Sequence, residues 1–443
     1  MSAVYDSIET EPWAEIQTRH SELLDRQVDY LAAESEYYQR KFDEWDVDPA
    51  DIDSIEALRA VPFTTKDDER ACQADTDPER PLGEHQAVAT ERLNRTISSS
   101  GTTGKPTYFG LTEQDRKKWD EVLKRCFYAA GIRPDDTLIF GVGQTMVPGG
   151  TPYFEGLTEL GSNVVPAGGG TTERLLSATT DLDGDVLFTT TSHLRYLSER
   201  APELLEHGVD ELPVTKLIGG GGPGIANPEI REELYDAWDA TDVREVMGLG
   251  DVVACLWSEC EAENGMHFHG QEHAHVELID PETEEVIPLE EGAEGELVYT
   301  PLQREATPLL RFRSGDVARV TGTECECGRT SPKIQCIGRA DDMLIYKGMN
   351  VFPSALRDVV SDVDGAQPHV RVVVPDADQV HFEKPIPLEV VVDPDTARSE
   401  DEIAGDVVDA VRSHLKVRVE PRLVDLDDIE LSEYKADLVV VDG

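Results

Sequence analysis

The sequence predicts an α/β protein: a large N-terminal domain of parallel βαβ layers that also carries an antiparallel β-region, followed by a small α+β domain. Three observations carry this. Between residues 137 and 250, short apolar β-type runs alternate with helical stretches, the order that parallel layers require. Residues 274–320 then alternate apolar and polar positions, as antiparallel strands do. Beyond GRADD (338–342), the chain has its own apolar runs, VRVVV (370–374) and LEVVV (388–392), enough for a separate domain of roughly a hundred residues.

Taken in order, residues 1–60 read as helices: Leu23, Leu24, Val28 and Leu31 keep helical spacing, and Asp51 to Leu58 repeats the pattern. PFTTKDD (62–68) and a polar loop lead to a Ser/Thr/Gly tract at 98–107. The β-type runs are TLIFGVG (137–143), NVVPAGGG (163–170), DVLFTTTS (185–192), VTKLIGGGG (214–222) and VREVMGLG (243–250). Helical stretches at Asp115–Ala130, Glu173–Ala178, Leu194–Glu206 and Pro228–Trp238 accompany them. HAHVELID, GELVYT, LLRFRSG and VARV supply the antiparallel region, and the last segment reads strand, helix, strand, strand, helix, strand. The division expected is 1–337 for the large domain, 338–341 for a hinge and 342–443 for the small domain. There are no internal repeats and no low-complexity segments.

The 443 residues include 90 Asp+Glu against 40 Lys+Arg, a formal charge of −50. A surface this acidic repels nucleic acid and anionic membranes, though small phosphorylated ligands remain open. The acidic residues are spread along the chain. Self-repulsion on this scale is tolerable where the Debye length shrinks to about 3 Å, near 1 M salt, so a halophilic protein of the cytoplasm is expected. No eighteen-residue apolar run and no signal-like N-terminus occurs, which predicts neither a membrane span nor export. Cys72, Cys126, Cys255, Cys260, Cys325, Cys327 and Cys336 are odd in number, and Cys325 and Cys327 are one residue apart. That suits a reducing compartment and a metal site better than a disulfide framework.

The tract Ser98-Ser99-Ser100-Gly101-Thr102-Thr103-Gly104-Lys105-Pro106-Thr107 can curl backbone N–H groups, hydroxyls and an ammonium around phosphate oxygens. A Walker loop would need Gly where Ser99 stands and a hydroxyl where Pro106 stands. A flexible Ser/Gly linker is the plain alternative on composition. The tract resembles the phosphate loop of the adenylate-forming superfamily, specifically the phenylacetate–coenzyme A ligase family. The resemblance runs along nearly all of the chain. It includes YYQRKFDEWDVDPADI with VPFTTKDD (61–68), VVPAGGGTTERLL (164–176), IDPETEEVIPLEEGAEGELVYTPL (279–302), RFRSGD (311–316) and GRADDMLIYKGMNVFPSAL (338–356).

The resemblance implies an AMP-forming acid–coenzyme A ligase with ATP, magnesium and coenzyme A, in which the small domain is a lid over the cleft. A carboxylate, aryl or other, would attack the α-phosphorus of ATP and expel pyrophosphate; a thiol would then displace AMP. An anion meeting a polyanion needs charge neutralisation and positioning above all. Ser99, Ser100, Gly101, Thr102, Thr103, Gly104 and Lys105 would cradle phosphate. Asp316 would accept from both ribose hydroxyls, Arg339 would meet the same sugar, and Asp341 would be the hinge. Lys435, in LSEYKADLVV, would bridge the attacking carboxylate and the α-phosphate. Gly221, Gly222 and Pro223, with Met247 and Gly248, would border the nucleotide, and Asp251 would ligate magnesium.

The chain departs from the family pattern in four places, one of them around Lys435, where Tyr434 and Asp437 stand in place of small or basic residues. Met247, Gly250 and Asp251 replace Tyr, Thr and Glu, and Gly222 stands where Glu usually precedes Pro. Gly141 to Val147, in the expected acyl pocket, holds no aromatic residue. Two other readings therefore stand beside the ligase: an adenylating enzyme with another acceptor, such as a deazaflavin cofactor or a carrier protein, and a nucleotide-binding protein whose chemistry has decayed. The partner expected is a small carboxylic acid, and a homodimer is left open.

Cys260-x6-His267 and Cys325-x-Cys327 make two pairs of soft donors, and three thiolates with one imidazole form a closed structural zinc site. Some members of the family have a similar arrangement. Free thiols in ordinary loops are the alternative, with His269, His273, His275 and Cys255 as nearby competitors; Cys255, in an apolar run, reads as core.

Overall fold

A computed structural model describes residues 4–441, except 75, 77, 100–105, 206, 222, 223, 341, 342, 348, 376–379, 395, 427, 428 and 430–437. Helix α1 (Trp13–Glu34) buries Ile16, Leu24, Val28 and Leu31 along one stripe. Ser35 ends it and caps α2 (Glu36–Trp45), its hydroxyl accepting from Tyr38 N–H at 3.3 Å. The helix expected over Asp51 to Leu58 does not form. Two short 3-10 turns, Pro49–Asp51 and Ala57–Ala60, stand there instead. Asp48 and Ser54 accept from Ala50 and Ala57 N–H, local bonds that compete with helix. Ile52, Leu58 and Val61 are nevertheless buried, so the apolar spacing reflected burial and not a helix. Helix α3 (Lys66–Cys72) follows under a reciprocal Thr65–Asp68 cap.

The hairpin β1 (Arg95–Ser99) and β2 (Thr107–Leu111) precedes α4 (Glu113–Ala129). The layered part then runs β3 (Thr137–Phe140), α5 (Thr151–Leu160), β4 (Asn163–Pro166), α6 (Thr172–Asp181), β5 (Val186–Thr190) and α7 (Thr191–Leu205). It ends with β6 (Lys216–Gly220), α8 (Pro228–Trp238) and β7 (Asp242–Leu249). Strands β4-β3-β5-β6-β7 are parallel neighbours, as the alternation predicted. Their side chains divide by parity: Leu138, Phe140, Val186, Phe188 and Ile218 enter one core, whereas Ile139, Leu187, Leu217 and Val243 enter another. A sheet covered on both faces explains why these strands read as continuous apolar runs.

The β7–β8 hairpin turns the sheet antiparallel. From there β8 (Val253–Glu259), β9 (Met266–Phe268), β10 (Ala274–Ile279), β11 (Val286–Ile287), β12 (Glu294–Pro301), β13 (Phe312–Gly322) and β14 (Lys333–Arg339) complete one twelve-stranded sheet. The last segment builds its own apolar cluster from Leu344 to Val419. It comprises the hairpin β15 (Leu344–Tyr346) and β16 (Met349–Val351), α9 (Pro353–Ser361), β17 (Ala366–Val374), β18 (His381–Phe382), β19 (Ile386–Val392), α10 (Glu400–Leu415), β20 (Val419–Val424) and β21 (Val439–Val441). Its four-stranded sheet has the order β20-β19-β17-β21. Among the described residues no helix is long and apolar enough to cross a membrane.

Candidate functional site

In open parallel sheets the loops at the carboxyl ends of the strands line the ligand crevice. Gly221, Met247, Gly248 and Asp251 lie at the ends of β6 and β7, whereas the other expected residues are on hairpins and antiparallel strands or outside the described residues. Ser99 pairs with Thr107 across the β1–β2 hairpin, and their hydroxyls are 2.7 Å apart, so the two ends of the Ser/Thr/Gly loop are held together. Ser100, Gly101, Thr102, Thr103, Gly104 and Lys105 lie outside the described residues. After β6, Gly221 adopts φ +84°, a conformation that glycine enters without steric cost. Gly222 and Pro223 lie outside the described residues, and Gly224 N–H donates to Glu245 Oε1 at 3.2 Å.

The end of β7 explains two departures in the 247–251 segment. Gly248 backs onto the Ala254 and Cys255 backbone so closely that no Cβ fits. At Gly250, a Cβ would run into the buried Phe109 ring and Pro148, so packing has taken the space that a threonine would need. Met247 packs against the large core.

Asp251 is buried, and its Oδ1 accepts from Lys66 Nζ, which also lies 2.9 Å from Glu69 Oε2. Two buried carboxylates thus share one ammonium. Burial, and next the negative charge of Asp251, push the Glu69 carboxyl well above its usual range. Burial works against the charge on Lys66, but the two acids outweigh it and raise its pKa. Lys66 and Glu69 were absent from the residues expected at the site. The signal was the TTKDD stretch, which the resemblance covered without assigning a role.

Strand register brings Asp316 directly opposite Arg339, and Arg339 donates to Asp316 Oδ1 at 2.9 Å. Asp316 N–H is in turn anchored on Ser314 Oγ at 3.0 Å. The last segment meets the large core beside this pair. Asn227 donates to Asp358 at 3.0 Å, Ser354 Oγ donates to Ile337 O, and His369 Nε2 lies 3.4 Å from Glu199. At the same contact, burial and a hydrogen bond shared with Asp362 push Glu229 up to about 7. Lys435 and Asp341 lie outside the described residues.

A second constellation lies in the antiparallel half. Cys260 Sγ is 3.6 Å from His267 Nε2 and 3.7 Å from Cys325 Sγ, and Cys327 Sγ is 3.4 Å from the same nitrogen. A tetrahedral zinc ion with bonds of about 2.3 Å to sulfur and 2.0–2.1 Å to nitrogen implies edges of about 3.8 Å (S···S) and 3.5 Å (S···N). The edges fit. A disulfide would need sulfurs about 2.05 Å apart. The competitors are engaged elsewhere: His269 with Ser258, His273 with Glu121, His275 with His20, and Cys255 in the core.

Comparison with known proteins agrees with this geometry. Residues 348–442 match the family of the AMP-binding enzyme C-terminal domain. The chain is 36% identical over 372 residues to a phenylacetate–coenzyme A ligase of Thermus thermophilus, spanning 83% of this chain and 80% of that protein. The chain belongs to the phenylacetate–coenzyme A ligase family. A second member, from Escherichia coli, is 32% identical over 374 residues, 83% of this chain and 81% of that protein. Among solved structures, a 2-hydroxyisobutyryl-CoA ligase in the postadenylation state with 2-HIB-AMP superposes with a TM-score of 0.89 at 25% identity, covering 98% of this chain and 91% of the other. The thioesterification state of that ligase, with 2-HIB-AMP and CoA, gives 0.72 at 26% identity, covering 100% and 93%. As a whole chain, this protein is closer to the postadenylation arrangement.

Proposed function

We propose that the protein is an AMP-forming acid–coenzyme A ligase that makes an acyl-adenylate from ATP and an aryl or other carboxylic acid and passes the acyl group to coenzyme A. The observation that carries this is the Asp316–Arg339 pair, two groups 23 residues apart aimed at one spot beside the contact between the two cores. A carboxylate there accepts from both hydroxyls of an adenosine ribose, while the guanidinium keeps it ionised. Charge-assisted bonds of this kind contribute about 1.5–3 kcal/mol each.

Other groups supply neutralisation. The loop 99–105 and the turn 221–223 would hold phosphate, with Met247 and Gly248 along the nucleotide. Asp251 and Glu69 would hold magnesium, whose charge offsets the triphosphate, and Lys66 keeps both carboxylates aimed at one point. Lys435 would steady the attacking carboxylate against the α-phosphate. The division into a large domain ending at 337 and a lid beginning at 342, hinged at Asp341, accounts for two reactions in one cleft. The lid arrangement that resembles the postadenylation state must turn to admit a thiol. Cys260, His267, Cys325 and Cys327 would hold a structural zinc ion, a closed set without an open position for substrate.

The test is acid-dependent exchange of labelled pyrophosphate into ATP at molar salt, over a panel of aryl and alkyl acids. Exchange with at least one acid is expected. None with any acid overturns the proposal, and adenylate that coenzyme A never discharges would move the acceptor to another molecule.

A further inference from the structure

Away from the cleft, a dense set of buried charges lies between the N-terminal segment and the loop of Cys325 and Cys327. Residues Ser7–Thr10 form a 3-10 turn closed by a reciprocal cap. Asp6 accepts from Ile8 N–H at 3.3 Å, and Glu9 Oε1 accepts from the N–H groups of Tyr5 and Asp6 at 2.9 Å each. The other Glu9 oxygen accepts from Arg329 Nε at 2.6 Å and lies 3.6 Å from His269 Nδ1, all three side chains being fully buried. Thr330 completes the seam: its N–H donates to Glu9 O at 3.1 Å and its hydroxyl to Glu11 O. Arg125 adds a bond to Asp6 at 3.1 Å.

Arg329 and Thr330 lie two and three residues after Cys327, so these bonds fasten the segment to the loop that carries Cys325 and Cys327. This gives a continuous path from Glu9 through Arg329 to the loop of two metal-ligand sulfurs. Three thiolates and one imidazole around a dication leave a net charge of −1, which a guanidinium buried in the same loop offsets. A guanidinium in a dry interior needs its own counter-charge. Glu9 supplies it, and the segment 5–11 is what brings Glu9 inside.

We propose that the N-terminal segment 5–11 belongs to the metal centre: Glu9 is a positioning residue that holds Arg329, and with it the loop of Cys325 and Cys327, in place, so that metal binding and docking of the segment strengthen one another. The inference rests on the zinc reading of the cluster. Linkage makes the effect reciprocal, because whatever the segment adds to metal affinity the metal adds to docking.

The experiment uses the full chain at molar salt. Zinc content is measured first, then the rate of zinc release to a chromophoric chelator, then hydrogen exchange of residues 5–11 before and after chelation. Glu9→Gln is expected to speed release 10–100-fold, the range typical when a partner of a metal ligand is lost. Chelation is expected to raise exchange in 5–11 at least tenfold and to leave α10 unchanged. Asp48→Asn, a surface control, should release zinc at the parental rate. Should Glu9→Gln fail to fold, Thr330→Val removes only the hydroxyl bonds to the Glu9 and Glu11 carbonyls and should still speed release severalfold. A parental chain that holds no zinc overturns the metal centre itself. Bound zinc with unaltered release and exchange overturns the coupling and leaves the metal centre standing.

Discussion

The Cys/His cluster and the proposed nucleotide cleft are built in opposite ways. All four cluster ligands come from the antiparallel half of the twelve-stranded sheet, and their mutual distances already suit a metal ion. The proposed cleft would instead draw on Ser99 from a hairpin, Asp251 from the end of the parallel half, Lys66 from an N-terminal helix and Arg339 from the strand that leads into the last segment. A structural centre gains from rigidity. A centre that runs two reactions must be assembled from parts that can separate.

The largest expected effect tests the rigid side. Cys327→Ala should empty the cluster of zinc and lower the unfolding free energy by several kcal/mol, bounded above by the about 10–16 kcal/mol that structural zinc contributes in small peptides. Metal analysis and denaturant unfolding would check both. An unchanged unfolding midpoint would erase the contrast.

On the mobile side, Asp316→Ala should leave the fold intact. Loss of two charge-assisted bonds at about 1.5–3 kcal/mol each should lower kcat/KM for ATP by about 10²–10⁴-fold. Steady-state kinetics with ATP varied would measure it.

A third prediction concerns the boundary between the two regions. Glu245 lines a polar cavity of about 190 Å³ with Arg231, Glu259 and Gln335, and burial followed by the charge of Glu259 pushes its carboxyl up to about 8. The folded chain therefore binds more protons than the unfolded chain between about pH 4.5 and 8. Stability should fall as pH rises through that window, by up to about 5 kcal/mol, and Glu245→Gln should flatten the slope. Unfolding midpoints against pH at fixed molar salt would show it.

The smallest effect comes from restoring a family residue. Gly250→Thr should cost about 1–3 kcal/mol through displacement of Phe109 and Pro148, measured as a lower Tm.

The sequence made the parallel half legible because doubly covered strands are uniformly apolar, and β3 to β6 fall within the runs marked for them, β7 starting one residue before its run. Asp316 and Arg339 were legible as motifs, and their opposition across β13 and β14 then follows from register. Residues 51–58 misled because burial at helical spacing also arises in capped 3-10 turns. Lys66 was hidden because its partner Asp251 is 185 residues away in the chain, and a pattern of residues says nothing about which ammonium a carboxylate will meet. Glu9 was hidden for the same reason, although the Asp6–Glu9 cap is visible in DSIE (6–9) once the turn is known.

The central claim is that one cleft adenylates an acid and then hands the acyl group to a thiol. A single-turnover quench at molar salt, with ATP, magnesium and an acid that supports pyrophosphate exchange, should accumulate about one acyl-AMP per chain. Later addition of coenzyme A should convert it to the thioester and free AMP. If no acyl-AMP forms, or if coenzyme A leaves it intact, the claim is wrong.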